Sequence, residues 1–232
     1  FVGGNYDYTN FPNELEVYKN FDVFTFTLPG HDKLVVKNVK FEEWISAAEA
    51  QIDFLLDHNY HNIYVIGHSM GGVIASHLAS KYKEVKKLVL VAPAFRYFYF
   101  KDGKINIKNI EETIKNMPEL FKKMGTETVV ERIRKTPLAT MLEFTKLIDK
   151  HAKDCVGITC PTLIIHGTDD TVVPQEGTDF VYKNIGSSNV KLVNIKKVTH
   201  DCFRGERNQE IRDIIITFLL KKNKPGKETI NI

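Results

Sequence analysis

The chain has 232 residues and a formal net charge of +3, from 32 Lys and Arg against 29 Asp and Glu. Hydrophobic residues make up 43% and charged residues 26%, which excludes a disordered chain, a collagen-like fibre and a disulfide-dense miniprotein. So small a positive excess argues against nucleic acid or an acidic membrane surface as partner. No run of about 18 apolar residues is present to span a bilayer. Cys155, Cys160 and Cys202 are odd in number and lack CxxC spacing, so neither a disulfide framework nor a cysteine-based zinc site is expected. Reduced thiols imply a cytoplasmic protein. The chain opens on Phe1 rather than Met, and any targeting segment is expected to precede it.

In chain order, Asp22 to Leu28 is rich in β-branched and aromatic residues and stops at Pro29-Gly30, which predicts a strand and a loop. Phe41 to Asp57 carries apolar residues at three- and four-residue steps, which predicts an amphipathic helix. Ile63 to Ile66 predicts a strand, Gly72 to Tyr82 a helix, and Lys87 to Ala92 a strand stopped by Pro93. Strands alternating with helices predict an α/β domain with a mostly parallel central sheet and helices on both faces.

That rhythm breaks after Pro93. Residues 94–158 are expected to form a small helical lid insertion, with helical character from Ile107 to Lys150. Residues 1–93 and 159–222 then make up the core. A strand at Thr162 to His166, a helix near Thr178 to Asn184, a strand at Lys191 to Ile195 and a helix at Glu206 to Lys221 complete it. Residues 223–232 are expected to be a loose tail.

Gly67-His-Ser-Met-Gly71 falls between a predicted strand and a predicted helix. A serine on such a turn has strained backbone angles, small neighbours, and a helix N-terminus aimed at its oxygen. The competing reading is a helix N-cap serine after a glycine turn. A nucleophilic serine needs a base and a group that orients the base. His58, His61, His77 and His151 read as solvated polar residues, and the side chain of His68 is expected to point away from Ser69. Gly167-Thr-Asp-Asp170 and His200 each follow a later strand, where function gathers in an open parallel sheet. Turn and capping roles for Asp169 and Asp170, and an ordinary loop role for His200, remain the alternatives.

These motifs resemble the α/β-hydrolase superfamily over nearly the whole chain. Gly67-His-Ser-Met-Gly-Gly72 is similar to its nucleophile elbow, and Leu28-Pro-Gly-His31 to one of its loops. Pro161 to Pro174 is similar to its acid loop and Val198-Thr-His-Asp201 to its histidine loop. The resemblance implies the order Ser69, Asp170, His200 for the catalytic residues. Within the superfamily the chain looks most like small bacterial carboxylesterases and monoacylglycerol lipases. It implies backbone oxyanion donors at Met70 and, by one alignment, at Phe1, with Gly4 or Asn5 in other registers. On that alignment, the family's first strands would precede residue 1. No glycine precedes His200, which departs from the family pattern.

The implied activity is hydrolysis of small to medium apolar or aromatic carboxylic esters through an acyl-enzyme on Ser69. No cofactor or metal is expected, and a small-molecule ester is the expected partner, with a homodimer left open. Phe95, Tyr97 and Phe98 are candidate pocket residues; the aromatics of 95–100 could equally pack the lid onto the core. Four other readings compete: a thioesterase, an amidase, a C–C hydrolase, and a binding homologue without turnover. A metal hydrolase using His166, Asp170 and His200, and a Cys202 nucleophile, are the remote alternatives.

Overall fold

The computed structural model describes residues 11–17, 21–32, 38–96, 100–101, 104–105, 138–222 and 224–232. Its centre is a five-stranded parallel sheet. Strands β1 (Ile63–His68) and β2 (Val85–Val91) lie beside β5 (Thr162–Gly167), β6 (Asn189–Ile195) and β7 (Gly226–Asn231), in the order β1-β2-β5-β6-β7. A separate antiparallel pair, β3 (Phe100–Lys101) with β4 (Lys104–Ile105), falls in the segment after β2.

Alternation along the strands explains why both faces are covered. Leu88 and Leu90 of β2, Ile164 of β5 and Leu192 of β6 face one apolar cluster. Val89 and Val91, Leu163 and Ile165, and Val193 and Ile195 face the other. The period-2 pattern turns successive side chains to opposite faces, so a strand buried on both sides reads as a continuous apolar run.

The first cluster is capped by α2 (Phe41–Asp57), α3 (Met70–Lys81), α4 (Leu138–His151) and α5 (Gln175–Asn184). Trp44, Ala48 and Ile52 of α2 are buried there with Val73 and Leu78 of α3 and Phe144, Leu147 and Ile148 of α4. A short 3-10 helix, Ala152–Gly157, follows α4 and also packs on α3. The second cluster is capped by α1 (Phe11–Val17) and α6 (Asn208–Leu220).

Four expectations need correction. Residues 226–231 are not a loose tail: they add strand β7 to the sheet, in register with β6 from Asn189 to Asn194. Their exposed, polar sequence is what an edge strand tolerates, and it hides the strand from an apolar-run criterion. Residues 21–28 carry no regular secondary structure and pair with no strand among the described residues. Aromatic contacts hold them: Phe21 meets Tyr64 edge-on at 5.9 Å, Phe24 meets Tyr60 at 5.4 Å, and the Tyr60 hydroxyl donates to Asp22 at 2.9 Å.

Third, the proposed insertion is narrower than 94–158. Ala94 and Phe95, Phe144, Leu147 and Ile148 of α4, and Ala152, Cys155 and Ile158 after it contribute to the first core cluster, so they belong to the body of the domain. The middle of the insertion, including residues 106–137, lies outside the described residues. Fourth, α1 went unread. Phe11 stacks on Phe203 with ring centres 5.6 Å apart, and Glu14 forms an ion pair with Arg212 of α6.

The cysteines are free and buried. Among the described residues, no helix is long and apolar enough to cross a membrane.

Candidate active site

Ser69 sits between the last residue of β1 and the first of α3, at φ 55° and ψ −121°. That is a left-handed conformation for a residue with a side chain, and such strain gathers at functional turns. Backbone bonds on both sides hold it. Its N–H donates to Val91 of β2 at 2.9 Å, and its carbonyl accepts from Gly72 at 2.9 Å and Ala94 at 3.1 Å.

The small residues of the motif do not contribute equally. A methyl group on Gly67 would lie 2.3 Å from the Gly71 carbonyl oxygen and 2.7 Å from Ala75 Cβ. One on Gly72 would lie 2.8 Å from Pro93 Cβ, whereas one on Gly71 meets none of the described residues within 4 Å. The tight positions are therefore 67 and 72, and not the second glycine of the five-residue motif.

Met70 opens α3, so its N–H is the first of the helix and has no intrahelical acceptor. The helix dipole adds partial positive charge at the same point. Phe1, Gly4 and Asn5, the candidates for a second donor, lie outside the described residues.

Asp170 and His200 come from the loops after β5 and β6. A methyl on Gly167, the last residue of β5, would lie 2.2 Å from the Val198 carbonyl oxygen. That close approach, with the Asp169 N–H donating to Val198 at 3.0 Å, locks the two loops together. His200 Nδ1 donates to Asp170 Oδ2 at 2.8 Å, and Asp170 Oδ1 accepts from the N–H groups of Val172 and Val173 at 2.8 and 2.9 Å. Asp169 instead faces outward, accepting from Thr168.

The Asp170 side chain has no solvent exposure, against 17% for His200. Burial alone would raise its pKa. The His200 charge and hydrogen bond, with the two backbone donors, outweigh burial and hold the carboxyl below its ordinary value. An ionised acceptor on Nδ1 fixes the neutral tautomer of His200, leaving Nε2 as the nitrogen that can accept a proton. Among the described residues Ser69 and His200 share no hydrogen bond; such contacts often close only with substrate present.

His68 has a contact that sequence reasoning did not foresee. Its ring lies against the His200 ring, with centres 4.9 Å apart, and meets Phe203 edge-on at 5.9 Å. Its Nε2–H donates to the His200 carbonyl at 3.0 Å. Withdrawal from water, and then the neighbouring His200 charge, push its pKa down to about 3, so it stays neutral. The ring props the His200 loop from the strand that carries Ser69. Chain order does not announce this contact, because β2 and β5 lie between β1 and β6 and it is the loop carrying His200 that meets His68.

The remaining candidates separate. Phe95 is fully buried in the core, its ring 6.1 Å from Phe180, so it fills the interior rather than a pocket wall. Tyr97 and Phe98 lie outside the described residues. His166 is buried and hydrogen-bonds with Thr178 Oγ1 at 2.9 Å, which commits it to packing. Burial pushes the Cys202 thiol far up, and the nearby Asp170 and Asp201 push it further, so a thiolate nucleophile is disfavoured.

The chain is 25% identical over 165 residues to the thermostable monoacylglycerol lipase of Bacillus sp. strain H-257, covering 71% of this chain and 65% of the lipase. The chain therefore spans just under two thirds of that relative. A monoacylglycerol lipase of Paleococcus ferrophilus superposes with TM-score 0.69 at 17% identity, over 94% of this chain and 90% of that one. An esterase of Exiguobacterium antarcticum does so with TM-score 0.69 at 21% identity, over 94% and 88%. The Hydrolase_4 family model, described as serine aminopeptidase S33, matches residues 17–208. With that match over most of its length and the hydrolase sheet beneath it, the chain belongs to the serine aminopeptidase S33 family of α/β-hydrolases.

Proposed function

We propose that the protein is a serine hydrolase that cleaves small to medium apolar or aromatic carboxylic esters through an acyl-enzyme on Ser69. The observation that carries this reading is the strained Ser69 turn at the head of α3 together with the Asp170–His200 hydrogen bond between the loops after β5 and β6, at the same end of the parallel sheet. His200 Nε2 takes the Ser69 proton as Oγ attacks the ester carbonyl. Asp170 holds the ring and stabilises the imidazolium. The Met70 N–H, with a second donor from the N-terminal segment, receives the developing oxyanion; losing one such donor costs about 3 kcal/mol of transition-state stabilisation in comparable sites. His200 then protonates the leaving alcohol, and water enters by the same route in reverse to release the acid.

The ester substrate class rests on the names of the relatives, a monoacylglycerol lipase and an esterase. The family description names an aminopeptidase, so amide cleavage is the second reading.

The test is steady-state hydrolysis of p-nitrophenyl acetate, butyrate and octanoate, a naphthyl ester and an aminoacyl p-nitroanilide, with Ser69→Ala alongside. Multiple turnovers on esters, lost in the variant, support the proposal. Turnover on the anilide alone would replace it with the amidase reading. No turnover by the folded parent would sink both.

A further inference from the structure

Away from Ser69, on the outer side of α3, three side chains converge that the proposed hydrolysis does not use. His77 comes from α3, His151 from the end of α4, and Asp154 from the 3-10 helix that follows. His77 Nδ1 lies 2.7 Å and His151 Nδ1 2.8 Å from the same oxygen, Asp154 Oδ2. All three atoms fall within 4.8 Å of one another. On the far side of the His77 ring, Nε2 lies 2.7 Å from Glu49 Oε1, which also receives Lys81 Nζ at 2.7 Å.

The valence count points to a cation. A neutral imidazole has one N–H, but both His77 nitrogens face carboxylate oxygens at hydrogen-bond distance. If Nε2–H donates to Glu49, the Nδ1 lone pair meets a lone pair of Asp154, a repulsion that either a second proton on His77 or a bound metal ion relieves. We propose that His77 Nδ1, His151 Nδ1 and Asp154 Oδ2 bind one divalent first-row transition-metal ion, with zinc as its representative, and that the ion clamps α3 to the end of α4.

The donor set fits. Two imidazoles and a carboxylate suit zinc and its neighbours, whereas magnesium and calcium prefer all-oxygen shells. The Glu49 contact on the opposite nitrogen is the outer carboxylate that metal-bound histidines use to fix their tautomer. Zinc sits about 2.0–2.2 Å from such ligands, so tetrahedral donors lie about 3.3 Å apart. The present contacts would open by roughly half an ångström, within reach of small side-chain rotations. Three protein donors leave a fourth position for water. The side chains keep 15%, 11% and 28% exposure for His77, His151 and Asp154, which gives an ion a way in. Eight residues of α3, about 12 Å of helix rise, separate His77 from Ser69, so the ion's effect is on stability rather than on chemistry.

The test uses the whole chain, stripped with EDTA and dialysed against zinc chloride near neutral pH, with zinc per chain and thermal unfolding as readouts. The expected result is one zinc per chain and a Tm raised by roughly 5 °C. Binding should weaken on acidification, because protons compete with the metal for its ligands. His77→Gln and Asp154→Asn should lose both the zinc and the shift while keeping native far-UV circular dichroism and cooperative unfolding. His58→Gln, on an exposed histidine outside the cluster, should keep both. Cobalt in place of zinc should show d–d bands without a thiolate charge-transfer band. Absence of stoichiometric binding would overturn the proposal and leave a proton-bridged ion cluster. Binding retained in both variants, or a thiolate band, would overturn it by placing the metal elsewhere.

Discussion

A serine held at φ 55° costs of order 1–3 kcal/mol, and the fold keeps it there with three backbone hydrogen bonds and a crowded glycine on either side. The crowding makes a sharp distinction testable. Gly67→Ala forces a methyl into a backbone carbonyl and should lower Tm markedly or prevent folding. Gly71→Ala meets open space among the described residues and should unfold within a few degrees of the parent. Equal losses in the two would contradict this account of the turn. At the neighbouring pair, Asp170→Asn should lower kcat by roughly 10⁴-fold with a modest change in KM, because the amide favours the wrong His200 tautomer. His68→Ala removes only a prop, so its kcat should fall much less, with unfolding shifted at the His200 loop. A loss as deep as that of Asp170→Asn would make His68 a participant in the chemistry. The Asp170–His200 pairing was readable from loop position together with the family resemblance, which picked Asp170 over Asp169. His68 was not, because its partner lies 132 positions away and is a backbone carbonyl.

Among the elements, those with a strong apolar signal were legible and those held by edges or aromatics were not. The helix beginning at Phe41 and the central strands follow from periodicity, because burial on one or both faces dictates the pattern. The segment expected as a strand at Asp22 to Leu28 has the right composition but no ladder among the described residues, where its contacts are those of its side chains with Tyr60 and Tyr64. Strand β7 is the converse: Gly-Lys-Glu-Thr-Ile-Asn has little strand propensity, and register with β6 creates it. The Gly226 N–H donates to Ser188 and the Ile232 N–H to Asn194, so even-numbered residues of β7 turn their N–H groups toward β6. Glu228→Pro should therefore lower Tm by several degrees, while Thr229→Pro, whose N–H faces outward, should cost much less. Reversal of that order in a thermal unfolding comparison would show that the ladder is misassigned.

For the whole molecule, buried neutral histidines set the acid limit. Withdrawal from water holds His68 near pKa about 3 and His31 near about 4, against an ordinary 6.5. Both are neutral in the fold and take up protons on unfolding. Their stabilising contribution is full above about pH 6.5 and is lost as pH falls through the folded values, at about 1.4 kcal/mol per pH unit for each proton. Asp170, whose folded pKa is depressed, adds a further loss only below the carboxylate range. His166, lowered by burial as well, adds to the same loss, so unfolding free energy should decline from pH 6.5 toward pH 4 and His31→Asn should make the decline shallower. A flat profile across that range would mean that these rings charge without unfolding.

The central claim is that Ser69 is a nucleophile armed by His200, and the most direct measurement is covalent. The folded protein would be treated with a fluorophosphonate, followed by intact mass and peptide mapping. The account predicts a single adduct on Ser69, absent in Ser69→Ala and formed far more slowly in His200→Ala. An adduct on another residue, or none on the folded parent, would contradict it.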